Sequence, residues 1–127
     1  MTTVADASVV VAYLLGDASD AERDRILGDV HAPALVDVET LQTLRGLLRA
    51  AKIDLATAEH AREALTLLRM RRHPDGRLLR RAWELRDVCT IYDALYVALA
   101  EALGATLITR DGRLARGVAG LIEVVES

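Results

Sequence analysis

TIYDALYVALAEALGATLITRDGRLAR, residues 90–116, is the stretch whose reading decides the fold. Thr90-Ile91-Tyr92-Asp93 matches a capping-box pattern, a Thr with an acid three residues on. The helix behind it, Ala94–Leu103, is apolar nearly all round, so it is buried on several sides. Gly104 ends it. Ala105–Thr109 (ATLIT) reads as a compact buried strand, Arg110, Asp111 and Gly112 as the loop beyond, and Arg113–Arg116 as a short helix. A buried helix that feeds a buried strand belongs to a parallel sheet with helical crossovers.

Working outward, Leu121–Val125 (LIEVV) is the last strand. Before residue 90, Arg77–Arg86 reads as a basic helix carrying Leu78, Leu79, Ala82 and Leu85 inward. Pro74-Asp75-Gly76 is a turn signal, and Arg69–His73 a short strand. Asp54 caps a helix to about Leu68, with Leu55, Ala58, Arg62, Leu65 and Leu68 in line. A stronger helix covers Val36 to Ala50, where Val38, Leu41, Leu44, Leu48 and Ala51 repeat at helical spacing and make one apolar stripe. Glu39 falls off that stripe, in the first turn, where the helix dipole favours an anion. Val30–Ala34 is a connection or strand containing Pro33. A helix spans Ala21–Leu27 behind Ser19 or Asp20 and stops at Gly28. Ser8 is the expected N-cap of an apolar helix over Val9–Leu15, and Thr3–Ala5 is the first strand. The expectation is a single α/β domain over residues 1–127. Its small parallel sheet has four or five strands, with right-handed crossovers and helices on both faces.

Hydrophobic residues make up 52% of the 127 residues, ample for a core, but aromatics only 3% and there is no Phe. The core is therefore aliphatic, with little to offer for base stacking. A single cysteine, Cys89, excludes an internal disulfide framework and a multi-cysteine zinc site. The opening residues MTTVADASVVVAYLLGD are apolar but lack a basic leader and are too short to span a bilayer. A cytoplasmic protein without membrane association is expected. Net charge is −3, yet residues 69–86 alone carry +5. Arg71, Arg72, Arg77, Arg80, Arg81 and Arg86 of that band are candidate contacts to nucleic-acid phosphates.

Four carboxylates stand where a parallel sheet would gather them: Asp6 after the first strand, Glu39 in a mid-chain helix, Asp93 opening the buried helix, and Asp111 after the next strand. In doubly wound sheets, sites form outside the carboxyl ends of the strands. Acids meeting there without a Lys repel each other, and a hard, oxygen-preferring cation such as Mg²⁺ or Mn²⁺ is the simplest way to hold them. Each acid alone has an ordinary explanation as a cap or turn residue; the joint pattern is far more specific. His31, His60 and His73 show no partner arrangement that suggests a base.

These residues resemble a known family. VADASVVVAYLLGD at residues 4–17, PALVDVETLQTLRGL at residues 33–47 and TIYDALYVALAEALGATLITRDGRLAR are similar to PIN domains, and within them to the VapC-type ribonuclease toxins of bacterial toxin–antitoxin pairs. The resemblance runs from Thr3 to Val125. It implies a PIN-like three-layer α/β/α sandwich and places Asp6, Glu39, Asp93 and Asp111 as the acidic quartet. Asp6, Asp93 and Asp111 are then ligands of Mg²⁺ or Mn²⁺, and Ser8 and Thr109 are supporting hydroxyls. The resemblance further implies a metal-dependent endoribonuclease acting on tRNA or rRNA, a homodimer, and inhibition by a cognate VapB-like antitoxin. Gln42 stands where many relatives have Asn.

Three rivals define what else such acids could do. A receiver-type phosphoacceptor domain wants paired acids after the first strand and a late Lys, whereas this chain has one acid there and only Lys52. A catalytically silent PIN-like scaffold would have no need of an intact acidic set. A nuclease of DNA flaps would want arches for which 127 residues leave little room.

Overall fold

The computed structural model describes all residues, Met1–Ser127. Five strands, β1 (Thr2–Ala5), β2 (Asp29–Pro33), β3 (Arg71–His73), β4 (Thr106–Thr109) and β5 (Val124–Glu126), form one sheet in the order β3-β2-β1-β4-β5. Every neighbouring pair is parallel. The helices are α1 (Ala7–Leu14), α2 (Asp20–Leu27), α3 (Leu35–Arg49), α4 (Leu55–Leu67), α5 (Leu79–Glu84), α6 (Ile91–Leu103) and α7 (Gly112–Val118). In β1 the consecutive residues Thr3, Val4 and Ala5 are all buried. Successive strand side chains point to opposite faces, so both faces of the sheet are covered. The α1–α4 helices pack on one another on one side, while α6, backed by α5, packs on β1, β2 and β4.

Local chemistry explains the boundaries. Ser19 and Glu22 close a reciprocal capping box on α2. Asp54 caps α4 and Thr90 caps α6, each accepting from the amide three residues on. Gly104 ends α6 at φ +59°, a left-handed turn that glycine enters without Cβ strain. The first helix differs from expectation. Its cap is Asp6, whose carboxylate accepts from Val9 N, and Ser8 lies inside the helix.

Packing corrects two apolar stripes. On α3 the buried residues are Val36, Thr40 and Leu44, while Val38 is 65% and Leu41 44% exposed. The buried side is the one that meets α1 and β2, although it includes a Thr. On α4 Ala58, Ala61 and Leu65 are buried, and Leu55 and Arg62 face outward. The basic segment is not one helix. A 3₁₀ turn over Asp75–Leu78 precedes the short α5, and Leu79 is exposed.

The histidines are not all solitary. Buried His31 shares a hydrogen bond between its Nδ1 and His73 Nε2 at 2.8 Å, and its Nε2 meets Asp29 Oδ1 at 2.8 Å. This chain of side chains ties the edge strand β3 to β2.

Candidate active site

The strand order reverses direction at β1, with β2 on one side and β4 on the other. The chain winds outward from β1 to β3, then returns to place β4 against β1. That reversal opens a crevice beyond the carboxyl ends of β1 and β4. Asp6 directly follows β1, and Thr109, Arg110 and Asp111 directly follow or end β4.

Asp6 is buried and held from both sides. Ser8 Oγ donates to Oδ1 at 2.5 Å, and Thr109 Oγ1 donates to Oδ2. The same two hydroxyls accept from the loop beyond β4: Arg110 N donates to Ser8 Oγ and Asp111 N to Thr109 Oγ1, each at 3.0 Å. Both hydroxyls therefore bridge the first carboxylate to the backbone that carries the last. Asp111 is exposed and caps α7 with Oδ1, which accepts from Arg113 N and Leu114 N.

Glu39 sits in the second turn of α3 rather than the first, where Asp37 lies. The buried Tyr96 donates its hydroxyl to Glu39 Oε1 at 2.6 Å. Tyr96 lies three residues after Asp93, and residues at that spacing share a helix face. α6 thus presents an acid and the donor to another acid side by side. The spacing was visible in the sequence, but nothing local links Tyr96 to a residue 57 positions away.

The acids act on one another electrostatically. Burial pushes the Asp6 carboxyl above its ordinary range, against the two hydroxyl bonds that pull it down. Glu39 is also raised, first by burial and then by repulsion from Asp93, Asp6 and Asp75, with the Tyr96 bond opposing. Asp93 is raised by burial and by Asp111 and Asp6, with Thr90 opposing. Asp75, read from the sequence as part of a turn, accepts from Leu35 N at the start of α3 and adds a fifth negative charge near Glu39. None of the four expected acids forms a salt bridge. No three His, Cys, Asp or Glu side chains stand close enough to grip one ion directly.

Arg110 turns away from this group. Its guanidinium makes a two-pronged pair with Glu22, at 2.8 and 2.7 Å, and also reaches Asp17. Glu22 is 1% exposed, and the Arg110 bonds hold its carboxyl down at about 2. This pair pins the loop that carries Asp111 to α2.

The arginine band divides. Arg72 uses every N–H it has inside the fold, on Asp37 and on the carbonyls of Leu65, Leu68 and Met70. Arg81 is bonded to Glu101 and Glu84. Glu101 lies eight positions beyond Asp93, about 12 Å along the axis of α6. Neither arginine is a free phosphate ligand. Arg71, Arg77 and Arg80 are exposed, and Arg86 stacks over the Trp83 ring at 4.9 Å.

The PIN domain profile matches residues 3–119. Ribonuclease VapC3 of Mycobacterium tuberculosis (strain H37Rv) is 41% identical over 116 residues, spanning 89% of this chain and 85% of that protein. This chain is a member of the PIN-domain family, of the VapC type. Ribonuclease VapC9 of the same strain is 40% identical, covering 87% of each chain. Ribonuclease VapC12 of M. tuberculosis (strain CDC 1551 / Oshkosh) is 40% identical, covering 89% of each. Among solved structures, PAE2754 from Pyrobaculum aerophilum superposes with a TM-score of 0.68 at 26% identity, over 97% of this chain and 90% of that one. The superposition covers the whole α/β architecture, the parallel sheet and the helices on its faces. It accords with the small parallel sheet expected from the sequence, which has five strands.

Proposed function

We propose that this VapC-type chain is a divalent-cation-dependent endoribonuclease, the toxin of a toxin–antitoxin pair, that hydrolyses phosphodiester bonds of tRNA or rRNA. The observation that carries the reading is the set of mutually repelling carboxylates, without a bonded cation, beyond the ends of β1 and β4. The names of the relatives, all ribonucleases, support the choice of substrate.

The donor set fits a hard cation, since it is carboxylate oxygen throughout. Asp6, Asp93 and Asp111 would hold Mg²⁺ or Mn²⁺, with Glu39 beside them. Mg²⁺ commonly keeps several of its waters, which suits carboxylates that do not close on a single point. When bound, the cation supplies Lewis acidity, which acidifies water and offsets negative charge on the phosphate. The side chains do the rest. Ser8 and Thr109 fix both oxygens of Asp6 in place. Tyr96 fixes Glu39 by Oε1 and leaves Oε2 as the free oxygen of a raised carboxyl, the group suited to take a proton from an attacking water. Arg71, Arg77, Arg80 and Arg86 remain candidates for RNA phosphates.

Partner surfaces also fit the reading. A groove of about 600 Å³ between α1, α2 and α4 is lined by Tyr13, Ile26, Leu27, Ala64, Leu67 and Leu68. Leu67 is 81% exposed there. An apolar groove of this kind suits an amphipathic segment of a VapB-like antitoxin. Trp83, Val88 and Ile91, exposed around the start of α6, offer apolar surface for a homodimer.

The test is to express the chain with controlled induction and sequence the RNA ends it creates. Asp6→Asn and Asp93→Asn are expected to abolish cleavage with the circular dichroism spectrum unchanged, and a chelator to do the same to the wild type. A folded Asp93→Asn protein that cleaves at the wild-type rate in chelator refutes the reading. Size exclusion of the co-expressed pair tests the partner and the dimer.

A further inference from the structure

A second cavity adjoins the acids and has the opposite character. A cleft of about 420 Å³ is lined by Ala7, Leu35, Val38, Glu39, Gln42, Thr43 and Tyr92. Its volume is in the range of sites that hold small organic groups, about 300–1,000 Å³. It shares the Glu39 wall with the carboxylate group, so whatever fills it is a direct neighbour of the scissile position. The lining contains no Lys, Arg or His, and its one charge is negative. It therefore offers a phosphate no side-chain cation to pair with.

The remaining surface suits a flat, polar-edged ring. Tyr92 is 61% exposed, with no hydrogen bond holding its phenol, in a chain whose Tyr96 is buried. Leu35 and Val38 supply aliphatic surface, and Val38 is the residue the sequence stripe would have buried. Gln42 brings an exposed amide with both a donor and an acceptor, the pair of functions that reads a base edge. Thr43 donates its hydroxyl to Glu39 O and so keeps only acceptor capacity toward the cleft. Tyr92 precedes Asp93 on α6, about 100° around the helix. One helical turn therefore presents an acid to the crevice and a ring to the cleft.

We infer that this cleft is a nucleobase subsite, in which Tyr92 stacks on the base next to the scissile phosphate and Gln42 selects among bases. The inference rests on the proposed ribonuclease activity and adds the source of its sequence preference. Stacking on one aromatic residue is sequence-tolerant and holds the strand. The amide then discriminates by hydrogen bonds to the base edge.

The experiment measures steady-state cleavage of a panel of short RNAs carrying each base on either side of the cut, together with binding of the same RNAs to the Asp6→Asn chain. Tyr92→Ala is expected to raise KM about ten-fold or more, with kcat within about two-fold. It should weaken RNA binding to the Asp6→Asn chain by the same factor. Tyr92→Phe, which keeps the ring, restores the affinity. Gln42→Ala should flatten the preference among bases at one flanking position. Wild-type KM and binding in Tyr92→Ala overturn the subsite. So does a loss that accompanies a change of oligomeric state on size exclusion, or one seen only in binding of an antitoxin peptide, since the cleft is then a protein contact. The underlying activity fails separately: in that case the wild type cuts no RNA, or Asp6→Asn cuts as well as wild type, whatever Tyr92 does.

Discussion

The Asp6 carboxylate receives a hydroxyl on each oxygen, from Ser8 and from Thr109, and both hydroxyls also hold the backbone beyond β4. Two hydroxyls thus keep this buried carboxylate in one orientation. Removing either hydroxyl leaves an acceptor without its partner. Thr109→Val keeps shape and is expected to destabilise the fold by about 1–3 kcal/mol, the cost of a buried acceptor left unpaired. Thermal or denaturant unfolding checks it. Tyr96→Phe is a different kind of change, since its ring stays packed and only the donor to Glu39 goes. The Glu39 carboxyl should rise further, because the Tyr96 bond is what lowers it. If Glu39 takes up the proton, the acidic limb of the kcat–pH profile should move to higher pH in Tyr96→Phe. Cleavage rates measured across pH for both proteins decide; superimposable profiles would remove Tyr96 from the site.

Elements are held by contacts whose chemistry runs against their sequence appearance. β3 is a three-residue edge strand fastened by Arg72 to α3, to the Leu65 carbonyl in α4 and to the Leu68 and Met70 carbonyls beyond it, and by His73 to His31. Arg72→Ala leaves those acceptors without a donor and is expected to cost about 2–4 kcal/mol. Arg80→Ala, at an exposed position with no internal partner, should stay within about 0.5 kcal/mol. Equal losses in the two variants, measured by urea unfolding, would contradict the division of the arginine band. Within α3, Thr40 is 0% exposed and its hydroxyl has no partner. Thr40→Val removes a buried, unpaired polar group at constant shape. A gain of about 1 kcal/mol is expected, read as a higher melting temperature.

At the scale of the whole molecule, two sets of carboxyls respond to pH with opposite signs. Asp6, Glu39 and Asp93 are raised above reference values of 3.8, 4.5 and 3.8 in the folded chain. Folding favours their protonated forms, so their contribution to stability is complete below those reference values and is lost as pH rises through the raised ones. Glu22 is lowered from 4.5 to about 2 by Arg110. Its contribution is present above 4.5 and is lost as pH falls through about 2. In chelator the raised carboxyls should lower the melting temperature as the pH is raised from about 4.5, against an opposite contribution from His73, which burial holds below 6.5; the difference from Asp6→Asn isolates the carboxyl part. Millimolar Mg²⁺ or Mn²⁺ should cancel the fall, because a ligand of the ionised folded state stabilises it by mass action. Asp6→Asn should flatten the chelator curve. Identical curves with chelator and with cation would leave the carboxylates without a bound ion.

What the sequence determined by itself is local. The cap of α6, its all-apolar face, the compact β4 and the Asp-Gly step beyond it lie within 27 residues, and they select a parallel sheet before any long-range contact is known. The four acids were legible for the same reason, since each sits at a strand end or in an early helical turn. Tertiary structure alone decided which side of α3 is buried, because a stripe of apolar residues records periodicity but not what lies opposite it. It also decided that Arg72 is internal, that Asp75 joins the acids, and that Tyr96 meets Glu39. Those outcomes depend on segments tens of residues apart brought together by the return from β3 to β4. A charge or a hydroxyl acquires its role from the field and the partners found there, and sequence spacing carries no record of either.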